Sequence, residues 1–412
     1  MSDAMRELTA CRDDFPALAR RVNGQPLVFL DGPAGTQVPQ AVIDAVNGYY
    51  TTCNANTHGQ FVTSRESDAL LEATREKVAA FLGARSGREV SFGANMTTLC
   101  FALAHALGRE LAPGDEVVIT QLDHEANRGP WLGLAERGVV VREVALGRDG
   151  RLDHADLRGK IGPRTRVLAM GLASNALGTV NDVLLARELT RSVGARLVLD
   201  AVHYAPHFPL DVTALDPDFL LCSAYKFYGP HVGILYCRPG LLERLRTDRL
   251  STQEEAAPYR IETGTLNHAA VAGVGAAIDY LASFGVGVDL RGRITDAMTH
   301  IERHERALAT GYFERVRWLP GVTVWGPDFT DARRAPTVSI TVEGRSAEEV
   351  ARCLGERGIA VWDGHFYAAR AIEVLGLAAR GGVLRTGISM YTTADDVDAL
   401  LAGLAELTGP AR

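Results

Sequence analysis

Over the first two thirds of the chain, short apolar runs rich in β-branched residues alternate with longer stretches of helical period. The runs Glu89-Val90-Ser91-Phe92, Val117-Val118-Ile119-Thr120, Val139-Val140-Val141-Arg142, Val167-Leu168-Ala169-Met170, Leu197-Val198-Leu199-Asp200, Phe219-Leu220-Leu221-Cys222 and Val232-Gly233-Ile234-Leu235-Tyr236 predict strands. Most are nearly continuously apolar rather than alternating, as in strands buried on both faces. They therefore predict an α/β fold with a mostly parallel sheet covered by helices on either side. From about Asp279 through Ile294 to Leu308 the pattern turns helical, which predicts a connection between two domains. Beyond it, strand candidates at Val322–Trp325, Thr337–Ile340 and Val383–Thr386 mix with helix candidates. The helices start near Ser346 and Thr393, each with a hydroxyl at the cap and an acidic residue in the first turn. That mixture predicts a smaller α+β domain.

Composition narrows the class. With 412 residues, 47% hydrophobic and 23% charged, the chain can bury one large core and a second smaller one. A net charge of -7 without any lysine or arginine block gives no footing for nucleic acid or an anionic membrane surface, so a small-molecule substrate is expected. The stretch Met1 to Glu7 lacks an apolar signal-peptide core and no apolar run is long enough to span a bilayer, so a cytoplasmic location is expected. Cys11, Cys53, Cys100, Cys222, Cys237 and Cys353 show no paired spacing. This argues against a disulfide framework and against a zinc site, leaving most of them as core thiols.

The chemistry starts from two strand ends. Asp200-Ala201-Val202-His203 closes one apolar run and Ser223-Ala224-Tyr225-Lys226 the next. A carboxylate and a lysine so placed suit pyridoxal 5'-phosphate: the amine forms a Schiff base with the aldehyde, and the carboxylate keeps the pyridine nitrogen protonated. Taken singly, Asp200 reads as a turn cap and Lys226 as a surface amine; the set outweighs both. The turn Gly93-Ala94-Asn95-Met96-Thr97-Thr98, running from a strand into an apolar helix, offers backbone N–H groups and a positive dipole end to a phosphate. His124 follows the strand ending near Thr120 and reaches the carboxyl edge of the sheet, where ligands of open α/β sheets bind and an imidazole can stack on a planar ring. Asn175, Asp200, His203 and Lys226 converge on the same edge.

These residues resemble the class V aminotransferase family, and within it the cysteine desulfurase-like branch, from Phe29-Leu30-Asp31-Gly32-Pro33 to Arg385. The resemblance implies the type I fold of pyridoxal phosphate enzymes: a mostly parallel seven-stranded sheet in a large domain with a smaller α+β C-terminal domain. Expected boundaries are residues 1–30 for an N-terminal segment near the small domain, 31–290 for the cofactor domain and 291–412 for the small domain. It further implies a phosphate turn at Ala94 and Asn95, a ring-stacking His124, cofactor contacts from Asn175, Asp200, His203 and Ser223, and a covalent Lys226. Glu262-Thr263-Gly264-Thr265-Leu266-Asn267 is similar to the family's Gly-Thr-x-Asn element, whose threonine reaches the neighbouring protomer's phosphate. A homodimer with shared sites is thereby implied, with Thr265 as the donor. Arg385 matches the arginine that grips the substrate α-carboxylate, a task suited to a bidentate guanidinium. His58, in Asn54-Ala55-Asn56-Thr57-His58-Gly59, matches an early loop near the site mouth and reads equally as a surface histidine. Tyr225 replaces a histidine often found beside the lysine; its phenol meets the phosphate, the opposite subunit, or only fills space.

The departures bear on the reaction. Where desulfurases carry an arginine and then Gly-His-His-Cys, this chain reads Trp362-Asp363-Gly364-His365-Phe366-Tyr367. Tyr367 stands where the persulfide-forming cysteine is expected, so desulfuration through an enzyme persulfide is not expected. Tyr367 becomes a candidate catalytic residue beside Lys226, His124 and Asp200, with His365, Asn175, Arg385 and His58 as substrate contacts. The leading expectation is a lyase that breaks the Cβ–S bond of cysteine or a cysteine S-conjugate, with Trp362, Phe366 and Tyr367 as an apolar wall. Decarboxylation-coupled deamination of such a conjugate is its closest competitor. An amino-acid epimerase or aminotransferase comes next, and a non-catalytic or sulfur-carrier partner protein that kept the fold is the reading from another class.

Overall fold

The computed structural model describes residues 8–330 and 333–408; the first seven residues, in which no signal-peptide core is expected, lie outside them. Seven strands form one sheet in the spatial order Val90–Gly93, Gly233–Cys237, Phe219–Ser223, Arg196–Asp200, Thr165–Gly171, Glu116–Thr120, Val140–Val144. Gly233–Cys237 runs antiparallel to both neighbours, and every other pairing in the sheet is parallel. The reason lies in the connection. Only residues 224–232 join it to the preceding strand, too few for the crossover a parallel pair needs. That short return carries Lys226.

Successive residues of these strands feed opposite faces. Leu168, Leu199 and Leu220 enter one apolar cluster while Val167, Val198 and Leu221 enter the other, so unbroken apolar runs are required rather than alternation. The edge strand Val140–Val144 begins one residue later than its sequence suggests, and Val140 is exposed.

A second sheet is antiparallel throughout, in the order Val322–Trp325, Thr337–Val342, Val383–Gly387, Trp362–Gly364. Val338, Ile340 and Leu384 pack against Tyr312 and Phe313 of the helix Leu290–Val316 and Leu400 and Leu404 of the helix Ala394–Thr408. The strand Trp362–Gly364 escapes prediction because three residues of Trp-Asp-Gly carry no strand pattern. Ser346 caps the helix Ala347–Gly355 by accepting from the Glu349 N–H at 3.1 Å. Thr393 and Asp396 exchange side-chain-to-backbone bonds at 3.2 and 2.9 Å, a capping box.

The helical stretch expected from Asp279 to Leu308 is two helices, His268–Ala282 and Leu290–Val316. Residues 283–289 separate them, with Asp289 accepting from the Gly292 N–H at 2.7 Å to start the second. A Cβ on Gly285, within that link, would lie 2.1 Å from the Arg293 carbonyl, so the link folds against the second helix as closely as only glycine permits. At the other end of the chain, Val28–Phe29 pairs in parallel with Ile359–Ala360. Arg12 donates to Asp396 and to the Leu27 carbonyl, both at 2.8 Å.

Candidate active site

Because the central strands run parallel, the segments leaving their carboxyl ends meet at one edge of the sheet. Asp200 and Ser223 close their strands there, and His124 and Asn175 follow theirs. These four line one cavity together with Asn95, His203, Tyr225 and Lys226. An outer cavity of about 660 Å³ adjoins it, also lined by His124, Asn175, Tyr225 and Lys226, and walled by Trp362, His365, Phe366, Tyr367 and Arg385. The remaining candidates lie elsewhere. Ala94 lines a neighbouring cavity with His231 and Thr265, while His58 lines an open surface cavity on which Thr265 also borders. Within the single chain, then, His58 and Thr265 do not line either Lys226 cavity.

The floor of the site is buried and its charges are displaced from their ordinary values. Lys226, 8% exposed, donates to the carbonyls of Pro33 and Ala34 and lies 4.9 Å from the Tyr225 ring centre. Burial, reinforced by the positive Arg385, pulls its pKa down to about 7 against the pull of Asp31 and Asp200. Asp200 accepts from the Val202 N–H at 2.8 Å, and burial lifts its pKa to about 6. Behind it, Asp123 accepts from the Gly171 N–H at 2.9 Å and from Asn127 at 3.1 Å; burial, with the charge of Asp200 adding, raises it to about 7.

His124 is a neutral ring. Burial, with Lys226 and Arg385 adding, lowers its pKa to about 4. Its Nδ1 accepts from the Ala126 N–H at 3.0 Å, which assigns the remaining hydrogen to Nε2. His203 is pushed well below its usual range by burial and by His207. Its Nε2 lies 2.9 Å from the Thr337 hydroxyl, and its ring meets that of His207 edge-on at 5.2 Å. His207 Nδ1 in turn lies 2.8 Å from Glu305 Oε2.

The phosphate turn differs in detail from expectation. Asn95 Oδ1 accepts from the Thr98 N–H at 2.9 Å and so caps the helix Met96–Gly108. The Met96 N–H already donates to Ser223 Oγ at 2.9 Å. Tyr225 stacks on His231 with ring centres 4.6 Å apart and planes within 9°, which fixes its orientation at the cavity wall. Arg75 holds Glu262 with bonds of 2.5 and 2.7 Å, and Glu262 also accepts from the Phe92 N–H at 2.6 Å. This ion pair ties the segment carrying Thr265 to the strand before the phosphate turn.

At the mouth, Arg385 is 2% exposed. One terminal nitrogen bonds Asp31 at 3.1 Å, the other the Asn175 carbonyl at 3.2 Å, and the Phe366 ring centre lies 4.2 Å from the guanidinium carbon. The Tyr367 ring faces His124 at 5.4 Å. Sequence reasoning gave no role to Asp31, to the Pro33 and Ala34 carbonyls, or to the His207–Glu305 pair. Asp31 stood inside the motif Leu30-Asp31-Gly32-Pro33, but its partner lies 354 residues away.

The buried atoms Asn175 Oδ1, His203 Nδ1 and Arg385 Nε have no partner among the described residues. Unsatisfied polar atoms of this kind around an easily neutralised lysine, opposite a buried carboxyl group, fit a planar, polar, aldehyde-bearing group such as pyridoxal phosphate. Comparison with known proteins agrees. Residues 28–400 match the family model described as aminotransferase class-V. A cysteine desulfurase of Pectobacterium carotovorum subsp. carotovorum (strain PC1) is 35% identical, over 96% of this chain and 97% of that protein. A probable cysteine desulfurase of Streptomyces coelicolor is 37% identical over 96% of each. The apo structure of a cysteine desulfurase from Thermococcus onnurineus NA1 superimposes with a TM-score of 0.88 at 28% identity, covering 98% of this chain and 99% of that one.

Proposed function

The chain belongs to the class V aminotransferase family and is a pyridoxal-phosphate-dependent enzyme, and on that premise we propose that it breaks the Cβ–S bond of cysteine or a cysteine S-conjugate by β-elimination. One observation carries this reading: the outer cavity is walled by Trp362, Phe366 and Tyr367, and no cysteine lines it or the cavity beneath. Five of the six cysteines are buried, and Cys353 sits half-buried on the helix Ala347–Gly355. A route through a protein persulfide needs a thiol within reach of the substrate sulfur. The aromatic wall suits a sulfur substituent larger than hydrogen.

The cofactor supplies an electron sink that stabilises negative charge at the substrate α-carbon. Around it, Lys226 provides the covalent tie and, once free, an amine that removes the α-proton; a pKa near 7 leaves it substantially neutral at working pH. Asp200 would hold the proton on the ring nitrogen, and neutral His124 would cover the ring without adding charge. Asn175 and His203 offer their unpartnered atoms at the cavity wall. Ser223, whose Oγ already accepts from the Met96 N–H, and the positive end of the helix Met96–Gly108 would receive the phosphate. Arg385 takes the substrate carboxylate. Cβ–S cleavage sends the bonding pair to sulfur, and Tyr367 or His365 stands at the mouth to give the departing thiolate its proton.

Thr265 and His58, absent from the chain's own Lys226 cavities, serve the neighbouring protomer of a homodimer. No described helix is long and apolar enough to cross a membrane, and a cytoplasmic setting accords with the lack of a disulfide among the described residues.

The test is incubation with cysteine and a panel of S-substituted cysteines, products followed by mass. Thiol, pyruvate and ammonia in equal amounts are expected, with larger S-substituents preferred. Carbon dioxide with an aldehyde product would assign decarboxylative deamination, and inverted amino acid an epimerase. A protein-bound persulfide with alanine released would overturn the reading.

A further inference from the structure

We propose that Phe366 is a positioning residue for Arg385, closing one face of the guanidinium so that a substrate carboxylate is received only at its edge; the proposal rests on Arg385 being the carboxylate-binding residue. Three features of the geometry lead there. The Phe366 ring centre lies 4.2 Å from the guanidinium carbon. Asp31 and the Asn175 carbonyl engage the two terminal nitrogens at 3.1 and 3.2 Å, and Nε, buried, has no partner among the described residues. A guanidinium donates in its own plane and not from its faces, so an aromatic ring over one face removes water where no hydrogen bond is lost and leaves the edge as the productive approach. The negative ring face also favours the cation, which burial alone disfavours.

The segment that carries the ring is placed by more than the packing of Phe366 against Ile372, Leu377 and Val383. Phe366 and Tyr367 adopt φ of 52° and 58° in succession, a left-handed conformation that side chains other than glycine seldom take. It is held by bonds across the site. The Asn175 amide donates to the Phe366 carbonyl at 2.8 Å, the Glu125 N–H donates to the Tyr367 carbonyl at 2.7 Å, and the Tyr367 N–H donates to His365 Nδ1 at 3.1 Å. Asn175 therefore touches both partners, Phe366 through its side chain and Arg385 through its backbone. A rare backbone state stabilised by groups of the site belongs to the site.

The experiment compares the affinity of the holoenzyme for alanine and for ethylamine, the same molecule without its carboxylate, read from the visible absorbance of the bound cofactor. Phe366→Leu keeps the apolar bulk and loses the ring face; alanine should bind about tenfold more weakly while ethylamine stays within about twofold of wild type. Phe366→Tyr should restore wild-type affinity for both. If the leucine variant does not fold, Phe366→Asn, which tolerates the left-handed backbone, takes its place with the same expectation. Equal weakening of both ligands, or wild-type discrimination without the ring, overturns the proposal. Arg385→Ala separates the two layers: if it leaves the preference for alanine intact, the carboxylate-binding reading fails and the proposal with it. Loss of the preference in Arg385→Ala, together with its retention in Phe366→Leu, would remove Phe366 alone.

Discussion

The floor of the cavity and its mouth are built by opposite means. Asp200 and Ser223 close strands in the middle of a seven-stranded sheet and Lys226 follows in the short turn after Ser223, all three buried beside paired backbone. Trp362 to Tyr367 leave a three-residue strand, with Trp362 49% and Tyr367 65% exposed, and two successive residues in left-handed conformation. The floor gains shifted pKa values from burial; the mouth gains shape from a few hydrogen bonds across the site. On the proposed roles, the shared chemistry would sit where geometry cannot drift, and substrate choice on a segment that can change without disturbing the sheet. The third sort of support, behind the floor, is polar: Glu305, His207 and His203 reach from the helix Leu290–Val316 to the cavity wall.

If the two regions divide labour in this way, changes in the floor should abolish turnover for every substrate. Lys226→Ala is expected to lower turnover by at least about 10⁴-fold, since it removes both the covalent tie and the base. Its fold, followed by circular dichroism, should remain. Asp200→Ala should keep some cofactor and lose on the order of 100-fold or more in kcat, because an unprotonated ring nitrogen makes a poor electron sink. Wild-type rates in either variant would break the comparison at its base.

The polar backing predicts a loss of stability rather than of chemistry. Glu305→Ala leaves buried His207 without its partner and should cost about 3 kcal/mol in unfolding free energy at pH 7. Urea denaturation measures it, and a cost near zero would mean that the pair is not supporting the floor.

A gentler probe uses pH. In cofactor-free protein the Lys226 amine, with its pKa lowered to about 7 rather than 10.5, is the nucleophile only when neutral. Because the folded value lies below the ordinary one, the neutral fraction rises through pH 6 to 8 and not through 9.5 to 11.5. The rate at which the protein takes up pyridoxal phosphate, followed by absorbance, should thus level off near pH 8. A rate still rising steeply above pH 9 would show that Lys226 is not desolvated as its burial implies.

How far each region could be read from sequence follows the same division. Floor strands announce themselves because burial on both faces demands uninterrupted apolar runs; Asp200 ends one such run and Lys226 lies three residues beyond the end of the next. Asn95 was recognisable as part of a phosphate turn, but its capping of the helix depends on a backbone angle that spacing does not reveal. Asp31 and Arg385 are joined only by the fold. The left-handed pair Phe366-Tyr367 has no sequence signal, for glycine or asparagine would be the expected carriers of such a turn. His58 and Thr265 illustrate a different limit: both were found by resemblance, and neither lines the Lys226 cavities of its own chain.

The smallest expected effect is the one most specific to the mouth. Tyr367 is largely exposed, its ring facing His124 and its carbonyl accepting from the Glu125 N–H. Tyr367→Phe keeps the ring and the backbone bond and removes one hydroxyl. Cofactor affinity and stability should stay within experimental error, since a surface substitution that breaks no buried bond costs less than about 0.5 kcal/mol. Turnover is where a change belongs: if the phenol protonates the departing sulfur, kcat should fall by several-fold up to about 100-fold. The fall should be steeper for poor leaving groups, alkyl thiolates, than for aryl thiolates that need no proton to depart. A uniform change across both classes would assign Tyr367 to packing and leave His365 as the proton donor at the mouth.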